Sequence, residues 1–540
     1  MAKKSKKKAR PASRAKTVAT KPRWEVNLAA TPIRGIAPKA PSQPLSWPAL
    51  GLTLLQAAVI AIAVLWIYHP VFHGTWLWDD DYLLSENQVV HSPDGIMDIW
   101  FNPASLIDFF PLTVSVEWLE WQLWPNNPFC FHFTSVIMHI VSSLLIWLLF
   151  RKLGLRLAWL GGLLFAIHPA MVESVAWMAE LKNTLATPPF ILACCFWIDY
   201  DRSRHIDHYF IALGLFLVAM LCKTTMVMFP FLILFYAWWK YDRITWWDIL
   251  RSGPFFAISL AIGVLVIVFL RHGVGEGMTP LGGVFSRLAC AGLSLAFYFS
   301  KCVLPIRYFP IYPEWDIDPP HLSQFLPWPV VIGALAWLWT RRQPWARHIL
   351  FGFGFFIINL LPFIGFRMIS FMRFTWVMDH FLYLPIIGLL GLAVAAASQL
   401  DLRFSASTRP YRIAGLVVAL ALLARESHNY SKIFVDQTHL WTYTIRHNPY
   451  AWPAYNNLGN VLSNERKLPE AKENYESALE LNPDYPEAHN NLGRIYAAWG
   501  QFPAALAQFE EALRLEPDLA SAQQNKAAVL QAMSAAPPRK

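Results

Sequence analysis

Long apolar runs govern what this chain can fold into. Between residues 49 and 425 the sequence returns repeatedly to stretches nearly free of charge: 49–68, 130–150, 157–176, 184–200, 208–222, 225–239, 254–271, 327–340, 349–366, 380–398 and 411–425. A helix of about 20 apolar residues spans the hydrocarbon core of a bilayer. Inside that core each backbone N–H and C=O must be paired within the protein, so such runs fold as helices. Only 15% of the residues are charged, against about 25% in a typical soluble domain. Trp66, Trp76, Trp78, Trp238, Trp239, Trp246 and Trp247 sit at the ends of apolar runs, where an interfacial aromatic belt belongs. The expected fold class is therefore all-α, a polytopic membrane bundle of 11 crossings.

Charge sets the expected orientation. The net charge of +9 comes from the first 23 residues, which hold ten Lys/Arg and no acid. The remainder is nearly neutral, so no nucleic-acid partner is expected. Residues 1–45 read as a disordered cytoplasmic tail, followed by the membrane domain at 46–428. Further basic residues cluster at 151–156, 202–204, 240–251, 341–347 and 403–412, and the positive-inside rule places them in the cytoplasm. The helix at 285–305 breaks this pattern if it crosses. Its Arg287, Ser294 and Lys301 recur every seven residues and share one face, as in an interfacial or groove-lining helix. The segment after 428 then lies outside the cytoplasm, on the side of the 69–129 loop.

That last segment, 429–535, is a repeat domain. Leu458, Gly459, Ala471, Tyr475, Ala478 and Pro483 return 34 residues later as Leu492, Gly493, Ala505, Phe509, Ala512 and Pro517. A 34-residue period of this kind marks the tetratricopeptide (TPR) helix–turn–helix unit. Two full units are too few to stand alone, so they are expected to dock on the membrane domain, and a protein or peptide is the expected groove partner.

Two polar clusters lie on the outward side. Asp79, Asp80 and Asp81 follow one another, and like charges so close raise one another's pKa unless a cation intervenes. The run suits a solvated loop, divalent-metal binding or general-base catalysis. The second cluster is His168, Glu173, Glu180, Lys182 and Asn183, to which the topology adds Lys223, Arg367 and Asp379. Ionisable groups at helix ends in a membrane are costly unless paired or functional. The six cysteines show no zinc-site spacing. The absence of a P-loop motif argues against ATP-driven work, and the absence of an inverted repeat against a transporter.

The segments W-D-D-D-Y-L-L-S-E-N (78–87), F-P-L-T (110–113), F-A-I-H-P-A-M-V-E-S-V-A-W-M-A-E-L-K-N (165–183) and M-D-H-F-L-Y-L-P (378–385), together with the repeats, resemble the GT-C glycosyltransferases that use lipid-phosphate sugars. The chain is most similar to the transmembrane-and-TPR protein O-mannosyltransferases and their bacterial relatives. The resemblance implies inverting transfer of a mannose-like sugar from a polyprenyl-phosphate co-substrate to a hydroxyl, such as a protein Ser/Thr. It makes Asp79 and Asp80 the catalytic candidates. Asp81, His168, Glu173, Glu180 and Asp379 become acceptor or active-site motif residues. A charge argument assigns the donor phosphate to Lys182, Lys223 and Arg367. No residues are assigned as metal ligands, with a divalent ion left open as a helper. The bacterial-type motifs point to an inner membrane with periplasmic repeats. The sequence departs from the family pattern at Phe110 and Met171, where histidines are usual, and at Leu181, Asn183 and His380. A non-catalytic scaffold that recruits envelope proteins through its repeats is the alternative.

Overall fold

A computed structural model describes residues 47–102, 105–106, 108–269, 282–341, 343–366 and 370–535. The basic tail and Arg367 lie outside the described residues. Every regular element among the described residues is a helix, and none is a strand. Seven helices are long and apolar enough to cross a membrane: Leu50–His73, Pro128–Lys152, Met178–Ser203, Trp246–Val268, Leu322–Thr340, Pro344–Phe363 and Ile386–Arg403. Leu52, Leu54, Leu55 and Ile62 of the first are exposed, as a lipid-facing surface requires. Helices Ile206–Cys222 and Phe229–Tyr241 are shorter.

The run 157–176, expected as one crossing, is instead two helices bent by 60°. Helix Ala158–Ile167 stops at His168, which adopts φ −77° and ψ 130°. Pro169 is the cause. It has no N–H to continue the ladder, and its ring drives the preceding residue out of helical space. The His168 ring accepts a hydrogen bond from the Ala170 amide at 3.2 Å, which caps the next turn. The break leaves Val172–Ala176 as a separate buried turn carrying Glu173.

Helices Pro128–Lys152 and Leu181–Ser203 pack side by side, and their C-terminal ends meet, so they run in the same direction through the bundle. Lys152 pairs with Asp199 at 2.6 Å, and Asp201 pairs with Lys240 and Arg204. The basic loops at 151–156, 202–204 and 240 therefore gather at one end. The N-terminus of Leu181–Ser203, with Lys182, lies roughly 30 Å away at 1.5 Å per residue.

Helix Val284–Val303 turns Ser286, Ser294 and Lys301 inward, while Phe285, Phe299 and Val303 are exposed. Arg287, near its start, reaches the Phe366 carbonyl at 3.2 Å. A polar face against protein and an apolar face outward is the inverse of a soluble amphipathic helix, and suits a helix lying beside lipid.

The repeats form hairpins Trp452–Asn464/Leu468–Leu481 and Pro486–Ala498/Phe502–Leu515, closed by Ala520–Ala535. They do dock. Trp441, on the preceding helix Gln437–His447, is fully buried and meets Trp78 edge to face at 5.1 Å. Asn448 donates to the Ile311 carbonyl at 3.2 Å, and Tyr443 to that of Tyr308 at 3.0 Å. Arg373 pairs with Glu487 at 3.5 Å. The hairpins close on glycines: a Cβ at Gly493 would meet the Phe509 ring at 2.6 Å. Gly493→Ala is expected to destabilise the second hairpin by about 1–3 kcal/mol, seen as faster hydrogen exchange across 486–515 in the full chain.

Candidate active site

The three aspartates do different things. Trp78, at φ 47°, stands at the turn just before them. Asp80 is fully buried, and its carboxylate accepts the Leu77 amide at 2.9 Å and the Ala179 amide at 2.7 Å. It pins the loop after helix Leu50–His73 to the turn before helix Leu181–Ser203. Asp81 accepts the Ser85 hydroxyl at 3.2 Å and the Gln437 side-chain amide at 3.0 Å, so it tethers the repeat segment. Asp81 is half-buried, and of the three only Asp79 is exposed. It lies in a recess where the surrounding protein displaces solvent, and that desolvation lifts its pKa to about 6, against the opposing pull of Lys182 and with help from Glu180 and Asp108. The three carboxyls diverge. Among the described residues no three His, Cys, Asp or Glu side chains converge to hold a metal ion.

This geometry separates the two catalytic candidates: Asp79 can meet a substrate, whereas the oxygens of Asp80 are taken. Asp80→Ala leaves two buried amides unpaired, at about 1–3 kcal/mol each. A clear drop in unfolding temperature is expected, with Asp80→Asn milder because its one oxygen still accepts.

Behind Asp79 runs a buried chain of charges. Lys182 Nζ is 3.1 Å from Glu180 Oε1, and Lys223 Nζ is 3.8 Å from Glu180 Oε2. Lys223 also donates to Asn183 Oδ1, and Asn183 donates to Ser174 Oγ at 3.3 Å. His380 Nε2 lies 3.8 Å from Glu180, while its Nδ1 lies 2.8 Å from Glu173 Oε1. The other oxygen of Glu173 accepts the Asp379 amide at 3.1 Å. The Asp379 carboxylate is held in turn by Tyr312, at 2.9 and 3.1 Å, and by Tyr430, at 3.2 Å. Burial raises the Asp379 carboxyl above its ordinary value, opposed by Lys301 and the two tyrosine hydroxyls.

Glu173, Glu180, Lys182, Lys223 and Asp379 thus come together. His168 serves the helix break instead. Position 110, where the resemblance expects histidine, places its Phe ring 5.8 Å from Lys182 Nζ. Asn183, another departure, bridges Lys223 and Ser174. Three residues escaped the sequence reading: Tyr312, Tyr430 and Glu117. The tyrosines carry no local signal. Glu117 could have been found as a carboxyl on the helix following F-P-L-T. It is buried, burial lifts it to about 8, and Lys182 opposes the rise.

Residues 453–516 match the family profile described as tetratricopeptide repeat, and residues 111–271 match that described as dolichyl-phosphate-mannose-protein mannosyltransferase. The chain is 30% identical over 221 residues to the mouse protein O-mannosyl-transferase TMTC1, covering 36% of this chain and 23% of that protein. Over 182 residues it is 29% identical to the human protein O-mannosyl-transferase TMTC3, covering 31% and 19%. The chain thus spans less than a quarter of the length of these relatives. A crystal structure of ArnT from Cupriavidus metallidurans in the apo state aligns with 84% of this chain and 80% of its own at a TM-score of 0.37 and 15% identity. The resemblance seen in the motifs therefore extends to protein O-mannosyltransferases that are similar to this chain.

Proposed function

We propose that this chain, similar to protein O-mannosyltransferases in its membrane segment and carrying TPRs behind it, moves a mannose-like sugar from a polyprenyl-phosphate donor to a hydroxyl of a protein acceptor. One observation carries the reading. Asp79 is an exposed residue whose carboxyl has a pKa lifted to about 6, beside the half-buried Lys182 and the buried Lys223, which share the single carboxylate of Glu180. A general base works best with a pKa near the operating pH.

In the proposed step the acceptor oxygen attacks C1 of the sugar from the face opposite the phosphate. The hydroxyl proton passes to the Asp79 carboxylate. The bond from C1 to the phosphate oxygen breaks, and its electron pair leaves with the lipid phosphate, so the anomeric centre inverts. Lys182 and Lys223 together carry one positive charge more than Glu180 neutralises, and they are our candidates to receive that phosphate. Arg367 joins them on charge alone. Glu173, His380 and Asp379 hold Glu180 and its lysines in place. The site and the repeats lie at the end of the bundle opposite the basic loops, which supports a periplasmic or lumenal reaction; for the motifs present we propose the bacterial periplasm.

The test is transfer of radiolabelled mannose from polyprenyl-phosphate mannose to a Ser/Thr peptide by the purified chain in lipid nanodiscs. Transfer is expected with the wild-type chain. A wild-type chain that binds the donor and transfers to no hydroxyl would favour the scaffold reading.

A further inference from the structure

Lys301 ends the polar stripe of helix Val284–Val303. It is buried, while the opposite face of the helix, with Phe299 and Val303, is exposed. A lysine held beside lipid is costly unless it is paired or functional. Its ammonium lies over the rings of Tyr312 at 4.8 Å, Tyr308 at 5.0 Å, Phe297 at 5.3 Å and Phe309 at 5.7 Å from their centroids. It donates to the Arg307 carbonyl at 2.6 Å and to that of Ile306 at 3.2 Å. Aromatic faces attract a cation through their quadrupoles, and the carbonyls take up ammonium hydrogens.

Three of those rings belong to segment 304–312, so the chain leaving the helix is wound around the charge at its end. The Tyr308 hydroxyl returns to the Lys301 carbonyl at 2.6 Å. Arg307 stands at φ 59°, in left-handed space that a long side chain rarely enters and keeps only where its surroundings impose it. The hydrogen bond from Lys301 to its carbonyl is one such constraint. The chain leading into the repeats braces the segment from the other side. Tyr443 and Asn448 donate to the Tyr308 and Ile311 carbonyls, and His447 stacks on Phe309 at 5.8 Å.

The segment ends at Tyr312, whose hydroxyl faces both oxygens of Asp379. Lys301 is also the cation whose charge opposes the burial of that carboxylate. The Asp379 amide holds Glu173, and from there the contacts run through His380 to Glu180, the carboxylate shared by Lys182 and Lys223. A lysine near a helix C-terminus commonly binds the last carbonyls of its own helix. Here the bonds go to residues 306 and 307, beyond the helix end at Val303, and they shape the segment that carries Tyr312.

The geometry points to Lys301 as a positioning residue for the transfer step: it folds segment 304–312 around its ammonium, aims the Tyr312 hydroxyl at Asp379, and so fixes the turn of Asp379 and His380 behind Glu180. The inference rests on the transferase reading of Asp79 and its lysines. It adds that the site is set in part from a helix that touches neither substrate.

The test uses the full chain in lipid nanodiscs, with Lys301→Met, Lys301→Arg and Tyr312→Phe. Lys301→Met removes the charge and keeps a similar length; Tyr312→Phe keeps the ring and removes only the hydroxyl. Both are expected to lower kcat for mannose transfer to a Ser/Thr peptide by about 10- to 100-fold, as a small displacement remote from the chemistry can. The KM values for donor and peptide and the unfolding temperature should hold. Lys301→Arg, which keeps a cation over the rings, should restore most of kcat. Hydrogen exchange across 376–383, measured without substrate, should quicken in Lys301→Met and Tyr312→Phe and match the wild type in Lys301→Arg. Unchanged kcat in Lys301→Met, or exchange across 376–383 as in the wild type, would overturn the assignment and leave Lys301 as a helix cap. If Lys301→Met does not fold, a lowered kcat at unchanged KM in Tyr312→Phe upholds the assignment and a wild-type kcat there overturns it. Should the wild type transfer no sugar, the reaction falls, while quickened exchange still upholds the link from Lys301 to Asp379 and unchanged exchange removes it.

Discussion

Asparagine at position 79 is expected to cut sugar transfer by roughly 10²- to 10⁴-fold, the range a single general base contributes, with little change in donor binding or unfolding temperature. The side chain touches no structural partner comparable to those of Asp80 and is open to water, so its loss removes chemistry and leaves packing intact. The pH profile supplies a second check. Asp79 acts as a base only when ionised, and desolvation places its titration at about 6. Transfer by the wild-type chain should rise as pH increases through about 6 and level off above about 7, as expected for a single ionisation. Asp79→Asn should lose that limb and leave a flat residual rate. A rising limb that survives in Asp79→Asn, with the rate intact, would move the base elsewhere.

Glu180→Leu is expected to be the most damaging single change to the fold. Its carboxylate sits between Lys182, Lys223 and His380, all buried or nearly so. Removing one partner of a buried ion pair costs about 3–5 kcal/mol, because the partner charge remains without compensation; here two ammoniums are affected. The purified protein should melt well below wild type or fail to yield a monodisperse peak. Adding Lys223→Met should recover part of the loss, since a coupled pair is not additive. Equal stability of Glu180→Leu and wild type would show that water or lipid, rather than Glu180, neutralises the lysines.

These two expectations differ because the fold treats two acidic residues of similar sequence setting in opposite ways. From the sequence, Asp79, Asp80 and Asp81 are three equal carboxyls in a loop, and Glu180 is one acid in an outer turn. Their separation comes from partners distant in the chain: the Ala179 amide for Asp80, Gln437 for Asp81, and Lys223 for Glu180. Asn183 shows the same dependence. As a departure from the family pattern it reads as a lost charge, yet in the fold its amide joins Lys223 to Ser174.

The sequence by itself determined the features written in local periodicity and solvation. Apolar runs near bilayer thickness require membrane helices, because a lipid core pairs no backbone groups. A 34-residue period requires stacked hairpins, because each unit leaves an apolar face that only a neighbour covers. The helix break at His168-Pro169 escapes the sequence reading, because the run around it is apolar enough to read as one crossing. Only the tertiary structure decided which aspartate faces water, how one glutamate serves two lysines, and that the repeats share a groove with Trp76, Trp78 and Asp81 of the loop that carries Asp79. Those outcomes are set by contacts between segments 40 to 356 residues apart in the chain, where burial and hydrogen bonding act without leaving a local mark. The apolar runs thus place the chain in a membrane, and the few polar groups packed between them decide what it can do there.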